Sequence, residues 1–193
     1  MRSILAILVI GIFFGPIGFP LLLIFWGIGK FNPDLAAHCY TTSLRYLCFA
    51  LRFASGTKVT VIGREKIPED RPVLYTSNHR GVFDIVACYP YTKGLCGFVG
   101  KKELEKIPVF RIWLRLVHVH FLDREDNRAA MQTIMDGTEE IKNGISMWIC
   151  PEGTRNKGEG LLEFKGGSFR MADRANAPVV PVAITHADDV LEK

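Results

Sequence analysis

The chain has 193 residues, a hydrophobic fraction of 48% and a formal net charge of +4 at pH 7, which is ample for one domain and short for two. A modest basic excess without dense basic runs argues against nucleic acid as a partner and suits an anionic bilayer surface or a phosphate-bearing substrate. Five scattered cysteines without Cys-x-x-Cys spacing indicate neither a disulfide framework nor a zinc site, so a reducing, cytoplasmic setting is predicted.

The first segment predicts a membrane anchor. Residues 3–29 carry no charge and, as a helix, would extend about 40 Å, against about 30 Å for a hydrocarbon core. Gly-Pro at 15–16 and Gly-Phe-Pro at 18–20 interrupt the middle, which allows either a kinked span or a re-entrant helical hairpin. A removable signal peptide is disfavoured, because the apolar part is too long and no small-residue cleavage site follows it.

The flanking charges predict the orientation of this anchor. Basic residues are frequent after it, whereas only Arg2 precedes it. The positive-inside rule therefore places the remainder of the chain in the cytoplasm. The expected location is the cell membrane, with the folded domain on the cytoplasmic side.

A second helix is predicted next. Asn32 is a plausible N-cap and Pro33 suits the first turn, and the run continues to Phe53. Its apolar stripe either lies on the bilayer or packs on the domain core. The stripe consists of Leu35, Cys39, Leu44, Leu47, Cys48 and Leu51. We therefore divide the chain into an anchoring segment (1–30), an amphipathic connecting helix (31–56) and a larger domain (57–193).

The larger domain alternates β-rich and helical runs, which predicts an α/β class with a mixed sheet flanked by helices. Strands are predicted at 58–62, 73–76, 95–99, 117–122, 146–149 and 179–184, and helices at 83–89, 102–116, 124–143 and 168–174.

The junction of the 73–76 strand with the next helix carries the most informative pair, His79 and Asp84. An imidazole whose second ring nitrogen binds a carboxylate is a general base for a substrate hydroxyl. The spacing alone is weak, but catalytic groups of α/β proteins gather at such strand ends. The pair therefore predicts base-assisted acyl transfer to an alcohol.

Further motifs follow in a fixed order: FVGKKEL at 98–104 with Ile-Pro at 107–108, FLDR at 121–124, PEGTR at 151–155 and VPVAI at 180–184. Together with the His-Asp pair, this ordered set resembles the glycerolipid acyltransferase family, most closely its 1-acyl-sn-glycerol-3-phosphate acyltransferases, over roughly residues 58–184. The resemblance implies an acyltransferase catalytic domain at 57–193. It also implies transfer of a fatty acyl group from acyl-CoA or acyl-carrier protein to the sn-2 hydroxyl of lysophosphatidic acid, giving phosphatidic acid without a cofactor or metal.

The same motifs contain candidate phosphate ligands. Thr154 and Arg155 lie in a Gly-containing turn, where a guanidinium can bind phosphate through two parallel hydrogen bonds, and in the family resembled this segment holds the glycerol phosphate. Lys101 is the second candidate at the start of a predicted helix, and the adjacent Lys102 is equally placed by sequence. Glu152 is expected to order the turn by accepting hydrogen bonds. The supporting residues are Asn78, Glu152, Gly153, Asp123 and Arg124.

His118 and His120 alternate on a predicted strand and so face one side. They could bind a metal with the His-Asp pair, but strand histidines more often pack, and base catalysis needs no metal. The family resembled usually has a Gly and an apolar residue at these positions, so the chain departs from it here. Asp123 and Arg124, by contrast, match the motif of the family resembled.

The sequence is also compatible with other functions. Ser77 could form an acyl-enzyme in a lipid hydrolase, although no Gly-x-Ser-x-Gly motif surrounds it. A non-catalytic lipid-phosphate-binding membrane protein would keep Lys101 and Arg155 without needing a base. Among acyltransferases, glycerol-3-phosphate or another lysophospholipid could be the acceptor. The expected partners are lysophosphatidic acid, acyl-CoA or acyl-carrier protein and membrane lipids, and no nucleic acid.

Overall fold

The structure is a computed structural model that describes residues 2–81, 83–187 and 190. The helices are α1 (Arg2–Ile12), α2 (Gly18–Gly29), α3 (Pro33–Ser55), α4 (Phe83–Cys88), α5 (Pro108–Leu116), α6 (Asn127–Lys142) and α7 (Arg170–Ala175). The strands are β1 (Leu74–Ser77), β2 (Cys96–Lys101), β3 (Val119–Leu122), β4 (Ser146–Ile149) and β5 (Val179–Val182). A π-helical turn at Phe13–Ile17 joins α1 to α2, and short 3-10 turns lie at Arg64–Lys66, Tyr89–Tyr91, Lys102–Lys106 and Gly166–Phe169.

The five strands form one sheet in the order β3-β2-β4-β1-β5, and each neighbouring pair is parallel. The predicted α/β class with flanking helices is confirmed. The sheet is parallel throughout its described pairings, where the sequence analysis expected a mixed one. A helix separates each strand from the next along the chain, and such a crossover returns the chain to the same end of the sheet.

Both faces of the sheet are covered. Tyr75 and Trp148 stack on one face with ring centroids 5.2 Å apart and belong to the core cluster that includes residues of α3 and α5. Leu74 and Met147 point to the opposite face and pack with residues of α6 and α7. This alternation along β1 and β4 is typical of strands that are buried on both faces. Burial of each such side chain contributes roughly 1.5–3 kcal/mol to the stability of the fold.

The N-terminal helices pack on the domain along one side only. The chain stays helical through the Gly-Pro interruption, where Pro16 lies in the π-helical turn. Phe14 is buried, with its ring centroid 4.4 Å from that of Phe110 on α5, whereas Phe19 and Trp26 are exposed. By length and composition, the helix Ile4–Gly29 is able to cross a bilayer, with a mean hydropathy of 2.5.

Helix α3 begins as predicted, because Asn32 Oδ1 accepts the Leu35 N–H at 3.0 Å and Pro33 follows the cap. Gly56 ends the helix in a left-handed conformation with φ of 68°. Most of the apolar stripe, including Leu44 and Leu51, is buried in a core cluster with residues of the domain and of the N-terminal helices, whereas Leu35 is exposed. The core-packing alternative for this stripe is therefore confirmed.

Several predicted elements differ from those observed. Residues 58–62 are not a strand: no described strand pairs with them, and Ile62 is 92% exposed. The helix predicted at 102–116 is interrupted, because Pro108 forces Ile107 into an extended conformation between the 3-10 turn and α5. β3 starts later than predicted, at Val119, because His118 occupies a turn with φ of 60°.

Candidate active site

The parallel sheet brings the predicted site residues to one edge. His79 follows the end of β1, Glu152 follows β4, and β1 and β4 are neighbours. Lys101 ends β2 and Asp123 follows β3 at the same edge. The carboxyl ends of parallel strands are the usual position of ligand sites in α/β sheets.

His79 and Asp84 form a directly bonded pair, with Nδ1 to Oδ2 at 2.7 Å. Asp84 is 1% exposed and the His79 side chain is 21% exposed. Since a carboxylate can only accept, Nδ1 carries the proton and Nε2 is the nitrogen that can take another. Among the described residues, no group hydrogen-bonds Nε2. The pair thus has the protonation pattern of a general base.

Backbone amides hold the Asp84 carboxylate in place. The N–H groups of Arg80 and Gly81 donate to Oδ2 at 2.8 and 3.1 Å. The same oxygen also accepts the hydrogen bond from His79 Nδ1. The position and orientation of the carboxylate are therefore set by the turn between β1 and α4. These two amides are occupied and cannot also stabilise an oxyanion.

Glu152 is 3% exposed and accepts two backbone hydrogen bonds. Its Oε1 binds the His79 N–H at 2.9 Å, and its Oε2 binds the Leu162 N–H at 3.0 Å. As predicted, Glu152 orders its turn by accepting hydrogen bonds. Both carboxylate oxygens are used in this way.

The Glu-Gly-Thr-Arg turn leaves its predicted phosphate ligands accessible. Gly153 has φ of 70°, a left-handed conformation that favours glycine, and its N–H donates to the Cys150 carbonyl at 3.0 Å. Thr154 and Arg155 are both exposed beyond it. The turn therefore presents a hydroxyl and a guanidinium at the edge that carries His79.

Two asparagines fasten the segment after β1. Asn78 forms a reciprocal pair with Ile184: its Nδ2 donates to the Ile184 carbonyl at 2.8 Å, and its Oδ1 accepts the Ile184 N–H at 2.7 Å.

Asn156 donates its backbone N–H to the His79 carbonyl at 2.7 Å. Asn156 is buried in a Gly-containing loop and is not among the residues predicted from the sequence. An Asn two residues before a Gly is a usable signal, since its Oδ1 accepts the Gly158 N–H at 2.8 Å in an Asx-type turn.

The two candidate lysines have different partners. Lys101 pairs with Glu103 at 2.9 Å, and both side chains are more than half exposed. Lys102 donates to Asp123 Oδ2 at 2.6 Å, and this bond lowers the pKa of the Asp123 carboxyl and raises that of Lys102. Asp123 is therefore engaged with Lys102. In the described part of the chain, neither lysine contacts His79.

Two side chains near the site could in principle act as nucleophiles: Ser77, which is buried, and Cys150, which is partly buried. The Ser77 hydroxyl accepts the Trp148 indole N–H at 3.0 Å and lies 3.4 Å from Cys150 Sγ. Burial raises the pKa of the Cys150 thiol to about 11, although the hydrogen bond with Ser77 opposes this rise. A neutral thiol and a buried hydroxyl are poor nucleophiles. This arrangement disfavours the acyl-enzyme rival.

His118 and His120 do not join the base. Both bind Glu140 on α6: His118 Nδ1 lies 3.1 Å from Oε2, and His120 Nε2 lies 3.0 Å from Oε1. The three residues line a polar cavity of about 340 Å³ together with Asp136. Within the described residues, no group of three His, Cys, Asp or Glu side chains has a geometry that could hold a metal ion.

A larger, mostly apolar cavity of about 630 Å³ lies beside the site. Its lining includes Phe83, directly before Asp84, with Tyr75 and Trp148 of the sheet and Val182 at the end of β5. His79 is not among the lining residues. The cavity is therefore separated from the base but adjoins the helix that carries Asp84.

Comparison with known proteins identifies the family. The Acyltransferase family model matches residues 58–185. The 1-acyl-sn-glycerol-3-phosphate acyltransferase of Haemophilus influenzae is 38% identical over 61% of this chain and 51% of its own length, and that of Saccharomyces cerevisiae is 30% identical over 75% and 49%. This chain thus spans about half the length of these relatives.

The fold has a solved counterpart in the 1-acyl-sn-glycerophosphate (LPA) acyltransferase PlsC from Thermotoga maritima. The two superpose with a TM-score of 0.78 at 22% sequence identity, covering 93% of this chain and 71% of the other. This likeness supports the fold, and the family match supports the resemblance found in the motifs. The chain therefore belongs to the Acyltransferase family.

Proposed function

We propose that this chain transfers a fatty acyl group from an acyl thioester to the sn-2 hydroxyl of lysophosphatidic acid, forming phosphatidic acid. The observation that carries the proposal is the 2.7 Å bond between His79 Nδ1 and buried Asp84, which leaves Nε2 able to accept a proton. The family match and the names of the relatives indicate the reaction type and the acceptor.

In the proposed reaction, His79 Nε2 takes the proton of the acceptor hydroxyl as its oxygen attacks the thioester carbonyl carbon. Asp84 stabilises the imidazolium that forms. The tetrahedral intermediate then collapses, the C–S bond breaks, and the departing thiolate receives the proton from His79. General base catalysis of this kind contributes about 10²- to 10⁴-fold. The rest of the rate enhancement would come from holding both substrates in the reactive orientation. No covalent intermediate is then required.

The acceptor phosphate would bind at the strand edge, through Arg155, Thr154 and Lys101. Arg155 and Thr154 are exposed in the turn that Glu152 ties to His79. Lys101 would exchange Glu103 for the phosphate, an exchange of low cost because exposed ion pairs contribute about 0–1 kcal/mol. Asn78, Gly153, Asp123 and Arg124 would shape this site.

The acyl donor is proposed to be acyl-CoA or acyl-carrier protein, with part of the acyl chain in the apolar cavity beside α4. The exposed side of the N-terminal helix would hold the enzyme at the membrane, where its lipid substrate lies. The distribution of basic residues favours the cytoplasmic side for the domain.

The test is an acylation assay on the detergent-purified chain with lysophosphatidic acid and either palmitoyl-CoA or palmitoyl-carrier protein. His79→Ala should abolish phosphatidic acid formation, whereas His38→Ala, at an exposed position on α3, should not. Turnover with glycerol-3-phosphate or another lysophospholipid in place of lysophosphatidic acid would reassign the acceptor. A folded parent protein without turnover on any acceptor would favour the lipid-phosphate-binding rival.

A further inference from the structure

Lys165 lies directly over the Glu-Gly-Thr-Arg turn. A Cβ atom built on Gly153 would be only 3.0 Å from Lys165 Cε and 3.1 Å from its Nζ. The Lys165 side chain therefore occupies the space that the absent Gly153 side chain leaves free. Gly153 permits both the left-handed turn and the close approach of this ammonium group.

Backbone hydrogen bonds set the position of Lys165. Its N–H donates to the Pro151 carbonyl at 2.9 Å. Three residues earlier, the Leu162 N–H donates to Glu152, whose other oxygen binds the His79 N–H. The segment bearing Lys165 and the segment bearing the base are thus attached to the same turn.

The ammonium group of Lys165 is uncompensated by a carboxylate within the described residues. Lys101 and Lys102 at the same edge are paired with Glu103 and Asp123. The acid within the turn is Glu152, and both of its oxygens accept backbone N–H groups in the interior. Lys165 is thus an exposed cation over the turn that carries Arg155, and such a cation favours the binding of a phosphate dianion.

We propose that Lys165 is a further ligand of the acceptor phosphate and shares it with Arg155, an inference that rests on the proposed function. The two side chains would act differently. A guanidinium binds two phosphate oxygens in a fixed plane, whereas an ammonium acts as a compact point charge that adjusts its direction. Lys165 thereby selects acceptors that carry a phosphate rather than contributing to the chemical step.

The test compares lysophosphatidic acid with 1-monoacylglycerol, which presents the same sn-2 hydroxyl without the phosphate. Lys165→Met should raise the KM for lysophosphatidic acid about tenfold or more, the effect of losing roughly one charge-assisted hydrogen bond. It should leave the KM for palmitoyl-CoA and the rate with 1-monoacylglycerol unchanged. Lys165→Arg should restore part of the lost affinity. Lys157→Met, which removes another exposed lysine of the same loop, is the matched control and should have no effect.

Equal losses on both acceptors would overturn the proposal, because they would show that Lys165 only packs on Gly153. Unchanged kinetics in Lys165→Met would also overturn it.

A binding measurement separates this inference from the proposed function. Calorimetric titration with glycerol-3-phosphate needs no turnover, so it reads the phosphate site even if the assay shows no acylation. Weaker binding in Lys165→Met than in Lys157→Met would support the ligand role in either case. Identical binding in the two variants, or no binding by the parent protein, would contradict it.

Discussion

The Glu152 carboxylate joins the two halves of the site, because its Oε1 binds the backbone N–H of His79 at 2.9 Å. Glu152 is in the turn that presents Arg155, the proposed phosphate ligand, and His79 is the proposed base. A buried side chain therefore ties the segment that carries the proposed base to the turn that carries the proposed phosphate ligand. In lysophosphatidic acid, the proposed acceptor, one glycerol unit joins the phosphate to the sn-2 hydroxyl, so the two groups are always close together.

Replacing Glu152 by Gln should loosen this connection. A Gln amide offers one accepting oxygen where the structure has two N–H donors, so one of them faces an NH₂ group and loses its bond. We expect a loss of about 1–3 kcal/mol in the free energy of unfolding, measured by urea titration, and a lower kcat/KM for lysophosphatidic acid. Glu159→Gln, at an exposed position in the following loop, should change neither quantity. Unaltered stability in Glu152→Gln would show that the two bonds do not hold the turn.

Replacing Asp84 by Asn should weaken the base, His79, while almost preserving the volume of the side chain at position 84. The Asn carbonyl oxygen can take the place of Oδ2 and still accept the Nδ1 proton. It is neutral, however, so the imidazolium would lose the negative charge that stabilises it. We expect kcat to fall by about 10²- to 10⁴-fold, with the far-ultraviolet circular dichroism spectrum retained. Asp70→Asn, at an exposed surface acid, serves as the control. A decrease of less than tenfold would argue against His79 and Asp84 acting together.

The local part of this site was predictable from sequence, because the His79–Asp84 pair lies within one strand-helix junction. Such a pair depends only on the turn that connects β1 to α4. The order of the motifs along the chain likewise indicated the family without any knowledge of the sheet.

The long-range part was not predictable. Glu152 is 73 positions from His79 in the sequence, and they meet only because β4 lies beside β1 in the sheet. No periodicity or propensity encodes that neighbour relationship. The same limit explains the wrong strand at 58–62, where β-favouring residues are present but no described strand edge pairs with them.

The Glu140 cluster should give the fold a dependence on acid pH. Burial alone would raise the pKa of Glu140, but hydrogen bonds from His118 and His120 outweigh it and lower the pKa from 4.5 to about 2. A carboxyl whose pKa is lower in the folded state stabilises the fold above its unfolded pKa, and this contribution disappears as pH falls from about 4.5 to about 2.

Glu140→Gln should therefore destabilise the protein at pH 7, by about 1–3 kcal/mol. The difference from the parent protein should shrink as the pH is lowered from 4.5 towards 2. The measurement is urea unfolding at a series of pH values. Glu139→Gln changes the neighbouring exposed acid on α6. Its free energy of unfolding should differ little from that of the parent protein at every pH. A constant difference for Glu140→Gln would mean that the histidines do not hold its charge.

His118 combines this interaction with an unfavourable backbone, since its φ is 60°, where the family resembled usually has glycine. His118→Ala would lose the bond to Glu140 and keep the left-handed conformation, whereas His118→Gly would lose the bond and relieve the strain. We expect the Gly variant to be more stable than the Ala variant by about 1 kcal/mol or more. In a Glu140→Gln background, where the ion pair is already absent, His118→Gly should stabilise the protein outright. Both differences can be measured by thermal unfolding of the variants. If the Ala variant were as stable as the Gly variant, the backbone at position 118 would not be strained.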